Sequence, residues 1–232
     1  MVQSVQNHTG KEEFHMKRIL CYGDSNTYGD DARRVPKDGV HGRYDEETRW
    51  PCRLQTLLGR EWHIYEAGMN GRTTVFEDPL AAGRCGIADL DVTFKSCDPV
   101  DLIIVMLGTN DLKDMFCASA EVIAQGLERL VARLQQLIAE SLNPEARILI
   151  LSPVNVRAAE NGRFYYGFSP RSVEKGQLLS ALYSRVARER ACLFADAAAW
   201  ASPAAADGVH LDHKGHEQLA QGLYECLQTM CD

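Results

Sequence analysis

The stretch CYGDSNTYG, Cys21 to Gly29, follows directly on the strand-like run Arg18-Ile19-Leu20. A strand that only had to turn needs no more than Asn-Gly or Asp-Gly. Here Asp24, Ser25, Asn26 and Thr27 stand between Gly23 and Gly29, so the turn presents a serine at a strand end. Further along, short apolar runs alternate with longer helical patterns. Trp50–Leu58 carries apolar residues at helical spacing and stops at Gly59, a C-cap signal. Trp62–Ala67 reads as a second strand. Asp101–Leu107 (DLIIVML) is continuously apolar, as expected of a strand buried on both faces.

Ser119–Ser141 reads as a helix, with Val122, Ile123, Leu127, Leu130, Val131, Leu134 and Ile138 as its apolar stripe. Arg147–Leu151 is the next strand, Ser172–Arg190 a long helix, Cys192–Ala195 a last short strand and His213–Met230 a terminal helix. The order β-α-β-α-β-α-β-α-β-α implies one parallel sheet with helices on both faces. The polar segments Gly29–Thr48 and Asn155–Ser169 read as long loops, which in a compact α/β domain are usually functional.

In open parallel sheets, ligands bind beyond the carboxyl ends of the strands. Four segments fall there: Gly23-Asp24-Ser25-Asn26-Thr27, Gly68-Met69-Asn70-Gly71-Arg72-Thr73, Gly108-Thr109-Asn110-Asp111 and Asp207-Gly208-Val209-His210. Together they supply the parts of one mechanism. Ser25 is a candidate nucleophile, which needs a base. His210 can be that base, and Asp207, three residues earlier, can fix its tautomer. Developing negative charge needs preorganised donors. The backbone N–H groups of Ser25 and Gly71 and the side-chain amide of Asn110 are on offer. Asp111 reads as a cap.

The blocks GDSNTYG, GMNGRTT, LGTND and DGVH resemble the four motif blocks of the SGNH (GDSL-type) hydrolase family, in the family's order. They span Gly23 to His210, and the surrounding text is similar to the bacterial arylesterase and acyltransferase branch. The resemblance implies a three-layer α/β/α sandwich around a five-stranded parallel sheet, flavodoxin-like in order. It implies a serine esterase acting on small carboxylic esters through an acyl-enzyme, with acyl transfer to a second alcohol as a companion activity. Ser25, Asp207 and His210 then form the triad, and Ser25, Gly71 and Asn110 the oxyanion hole. Gly71 is preferred over Gly68 because it follows Asn70 and precedes the Arg-Thr-Thr run. Asn26 stands where the family's name has leucine, with no expected effect on catalysis. Asp24, Arg72 and Tyr28 are candidate substrate contacts, and Arg72 reads equally well as a structural donor. Trp50 and Phe76 are candidate acyl-pocket residues with core packing as the default. The resemblance implies no metal or organic cofactor, and it suggests a homo-oligomer.

Other readings remain open: a carbohydrate acetylesterase or a lysophospholipase of the same family, or a noncatalytic flavodoxin-like module holding a nucleotide or sugar. Phosphate-loop patterns are absent, and Thr27 stands where the last glycine of a G-x-S-x-G elbow would be. His210, His213 and His216 invite a metal, but helical steps of three turn side chains by about 300°, so the first and third diverge by roughly 120°. His213 and His216 are expected on a helix surface.

The chain has 232 residues and a net charge of −7, with no basic run, which argues against nucleic acid or an anionic membrane as partner. No stretch is long and apolar enough for a transmembrane helix. Residues 1–15 read as a polar extension or an added segment, with no secretory h-region, and residues 16–232 as a single domain. Met16 stands immediately before the first strand, where a native start would fall. Asn7-His8-Thr9 fits a glycosylation sequon but carries no weight without a signal peptide. The eight cysteines are scattered without a C-x-x-C pair, as expected of reduced thiols in a cytoplasmic protein.

Overall fold

The computed structural model describes residues 16–31, 33 and 42–231. The polar extension, its sequon and much of the first long loop lie outside the described residues. The strands are β1 (Lys17–Gly23), β2 (Trp62–Gly68), β3 (Leu102–Met106), β4 (Arg147–Ser152) and β5 (Leu193–Asp196). The helices are α1 (Ser25–Tyr28), α2 (Trp50–Leu58), α3 (Gly86–Cys97), α4 (Ala120–Ala139), α5 (Pro170–Glu189) and α6 (His213–Cys231). The five strands run parallel in the order β2-β1-β3-β4-β5. This is the expected flavodoxin-like sheet, and its strand order reverses at β1.

The two-residue side-chain period of a strand explains why the central strands are continuously apolar. Leu20, Tyr22, Ile103, Val105, Ile148 and Ile150 face one side and pack with α3, α4 and α5. Ile19, Cys21, Ile104, Met106, Leu149 and Leu151 face the other and pack with α2 and α6. Each strand therefore feeds two cores, and neither face tolerates a polar residue.

Several boundaries differ from the sequence reading for local reasons. Ser119, read as the first helical residue, and Ser169, read as a loop residue, are both N-caps, since their side chains accept from Val122 N and Arg171 N. Val122, placed on the apolar stripe of α4, is 43% exposed, because it sits one position off the face that Ile123, Leu127 and Leu130 bury. The limits of α3 lack strong sequence punctuation, and Cys85 precedes it without a side-chain cap. Trp50 is fully buried in the α2–α6 core. Phe76 packs on Phe116 at 5.5 Å and against the opposite core.

His216 is a correction. It is 0% exposed, not on a helix surface. Its Nδ1 accepts the Trp50 backbone N–H at 3.3 Å. Trp50 is the first residue of α2, and Arg49 before it supplies no side-chain cap. A histidine from α6 thus satisfies an N–H that α2 leaves without an intrahelical partner. Burial lowers its pKa to about 3, so the ring is neutral in the fold. No helix among the described residues is long and apolar enough to cross a membrane.

Candidate active site

The turn after β1 is built as a capped single-turn helix. The Asp24 carboxylate accepts from Asn26 N at 2.9 Å, and Gly29 closes the turn in the left-handed region at φ 83°. Ser25 is the first residue of α1, only 4% exposed. The turn packs against the end of β2 because Gly68 has no Cβ: one there would run into the Tyr28 backbone. Any side chain at position 68 would push the serine off the sheet.

The segment from Asp207 to His210 reaches Ser25 from the far side. His210 Nε2 lies 3.0 Å from Ser25 Oγ, and His210 Nδ1 lies 2.6 Å from Asp207 Oδ2. A carboxylate only accepts, so Nδ1 carries the proton and Nε2 is left to accept from the serine hydroxyl. The other Asp207 oxygen accepts from Val209 N at 2.8 Å and His210 N at 3.0 Å. Burial opposes charge on His210, but the Asp207 hydrogen bond and charge outweigh it and raise the pKa above the ordinary value. For Asp207 burial pushes upward, and the His210 hydrogen bond and charge prevail to lower it. Gly208, at φ 73°, sits where a Cβ would strike the Arg157 carbonyl, and its own carbonyl accepts Arg157 N at 2.9 Å.

Asn26 joins these two segments. Its Nδ2 donates to Val209 O at 3.2 Å and its Oδ1 accepts from Leu211 N at 2.8 Å. One buried amide therefore holds the residues on both sides of His210. The sequence offered no signal of this, because the partners lie 183 and 185 positions away. Tyr165, from the second long loop, meets the His210 ring edge-on at 5.2 Å and was likewise not anticipated.

The second and third blocks lie beside Ser25. Asn110 Nδ2 donates to Arg72 O at 3.1 Å, and Gly71 turns at φ 78°. Asp111, read as a cap, instead makes a long-range contact. It accepts from Thr74 N at 3.0 Å and from Thr74 Oγ1, pinning the third block to the second. Burial pushes its pKa up to about 6.

A cleft of about 410 Å³ opens over Ser25, Gly71, Asn110 and His210. The three candidate substrate contacts do not line it. Asp24 is fully buried and spent on the cap. Arg72 is buried, donates to Gly23 O at 2.9 Å and Ala67 O at 2.6 Å, and stacks on Tyr22 at 4.3 Å. It ties β1 to β2, the structural alternative. Tyr28 carries the Arg43 guanidinium on its ring at 4.5 Å, outside the cleft. Asp30, Asp78, Arg84, Lys113 and Tyr165 line the walls instead. Their positions after turns gave no periodic or motif signal. Among the described residues no cluster of three or more His, Cys, Asp or Glu could hold a metal ion.

Residues 21–218 match the model of the GDSL-like lipase/acylhydrolase family. No curated protein sequence matches the chain. Among solved structures, the native M. smegmatis aryl esterase is 29% identical at a TM-score of 0.84, covering 92% of this chain and 99% of that one. A carbohydrate acetylesterase family member from Sinorhizobium meliloti is 37% identical at 0.81, covering 93% and 99%. Est24, a carbohydrate acetylesterase from the same organism, is 30% identical at 0.82, covering 92% and 99%. Motif order, sheet topology and family match agree, and the chain belongs to the GDSL-like lipase/acylhydrolase family as a carboxylic ester hydrolase.

Proposed function

We propose that Ser25, His210 and Asp207 carry out ester hydrolysis through an acyl-enzyme. The observation that supports this most is the unbroken path from Ser25 Oγ to His210 Nε2 at 3.0 Å and from Nδ1 to Asp207 at 2.6 Å, at the floor of an open cleft. His210 takes the hydroxyl proton as Ser25 attacks the ester carbonyl. The imidazolium so formed is held by the Asp207 carboxylate. The oxyanion is received by the N–H groups of Ser25 and Gly71 and the Asn110 amide. His210 then protonates the leaving alcohol. Water attacks the acyl-enzyme, with His210 again as base, and restores Ser25. A second alcohol in place of water gives acyl transfer. Asn26 is a positioning residue in this scheme, fixing His210 against the serine turn.

Leu80 and Tyr166, 71% and 76% exposed at the cleft mouth, give an apolar rim suited to an aryl or short acyl ester. The aryl esterase similarity favours that reading. The acetylesterase similarities favour sugar acetates as the second reading. The scattered cysteines, without a C-x-x-C pair, suit a reducing, cytoplasmic setting. Association with copies of itself, implied by the family resemblance, completes the reading and is checked by light scattering.

The test is hydrolysis of p-nitrophenyl acetate, butyrate and octanoate by wild type and Ser25→Ala, with fluorophosphonate labelling located by mass spectrometry. The expected result is a label on Ser25 and a loss of several orders of magnitude in the variant. A folded wild type that neither turns over nor takes the label would leave only a binding module.

A further inference from the structure

Two cations line the cleft that the hydrolytic reading does not use, Arg84 and Lys113. Arg84 lies against Gly71, with its Nε 3.2 Å from where a Cβ on that glycine would stand. Lys113 follows the turn that carries Asn110. Its stem runs along Gly167, and its ammonium sits 5.9 Å from the Phe168 ring centroid. The two charges thus flank the two donors that lie outside the serine turn. No described residue forms an ion pair or a hydrogen bond with either charged head.

Carboxylates also line the cleft, and each accepts a hydrogen bond from a donor other than this pair. Asp30 accepts from Asn70 Nδ2 at 2.8 Å, and Asp78 accepts from Leu80 N at 2.8 Å. Asp30 also acts electrostatically on His210 and Tyr165. Half-burial lowers the Lys113 pKa; the nearby Arg84 adds to this, and Asp78, Asp24 and Asp111 oppose it without reversing it. Two like charges brought together with incomplete compensation form a receptor for an anion. A guanidinium presents a fork that matches a carboxylate, and an ammonium adds a point charge.

The charge distribution also assigns a side. The leaving alcohol must lie toward His210, which protonates it. The cations stand on the donor wall, away from the alcohol. Resting on the esterase reading above, we infer that the preferred substrates are esters whose acyl part bears a carboxylate, such as hemiesters of short dicarboxylic acids, with Arg84 and Lys113 as its receptor.

The experiment compares kcat/KM within isosteric pairs, so that any loss of folded enzyme cancels. Monomethyl glutarate is set against methyl 4-carbamoylbutanoate for the acyl side. The alcohol side is probed with 4-acetoxybenzoate against 4-acetoxybenzamide. In wild type the acyl pair favours the carboxylate roughly tenfold or more, and the alcohol pair shows no such preference. In Arg84→Glu and Lys113→Glu the acyl-pair ratio falls below one. A wild-type acyl ratio of one or less, a ratio unmoved by both reversals, or a preference confined to the alcohol pair overturns the inference. Hydrolysis of the neutral members through Ser25 without a carboxylate preference overturns it alone. Absence of hydrolysis, or hydrolysis indifferent to Ser25→Ala, overturns the esterase reading and this inference with it.

Discussion

His216 makes stability fall between neutral pH and pH 5 by a predictable amount. The ring is fully buried, and its pKa is lowered to about 3 from an ordinary 6.5, with burial as the main cause. The unfolded chain therefore binds a proton near pH 6.5 that the folded chain refuses until about pH 3. Unfolding takes up protons in that window, so stability is complete above it and is lost as pH falls through it. At pH 5 the unfolded form is favoured by about 1.5 pH units of proton binding, or about 2 kcal/mol. At pH 7.5 the effect is close to zero.

Protonation also removes the acceptor that Nδ1 offers Trp50 N, so the loss is the loss of the α2 cap. His216→Gln keeps a polar side chain there and does not titrate. Urea unfolding of both proteins at pH 7.5 and pH 5.0 isolates this histidine, because every other titration is common to the two. The wild-type stability should drop by about 2 kcal/mol more than that of the variant. Equal drops would refute the claim that a buried neutral imidazole caps α2.

Three further outcomes follow from the catalytic geometry. Asp207→Asn should cut kcat by about 10³–10⁴-fold, because the imidazole loses its orienting acceptor. The acid limb of kcat/KM should also move to lower pH, since Asp207 is what holds the His210 pKa above its ordinary value; an unmoved limb would contradict that cause. Asn110→Ala should lower kcat by about 10²–10³-fold with little change in KM, as for a donor used mainly in the transition state; an effect confined to KM would place Asn110 in ground-state binding. Asn26→Ala loses both buried bonds to the residues flanking His210. Its kcat should fall by about ten- to a hundred-fold, with fluorophosphonate labelling of Ser25 slowed in step; labelling at the wild-type rate would show that His210 is held by other means.

Most of the fold can be read from local pattern. DLIIVML is a buried strand because its two faces meet two cores, and the β-α alternation then leaves few topologies. The four strand-end blocks point to Ser25, Gly71, Asn110, Asp207 and His210 because glycines, a serine and an Asp-x-x-His pair stand out against short-range alternatives. Their convergence follows from the parallel sheet, which carries every strand end to one edge.

What stayed hidden depends on partners distant in the chain. Asn26 looks like a neutral replacement until Val209 and Leu211 are folded against it. Arg72 reads equally as a substrate contact or a structural donor until the carbonyls of Gly23 and Ala67 take its guanidinium. His216 looks exposed until α2 lands on it with Trp50 N–H unpaired. Local sequence encodes periodicity, caps and turn chemistry, which act over a few residues. Whether a polar group ends up buried, and which donor or acceptor it then satisfies, is settled only when segments remote in sequence pack together and exclude water.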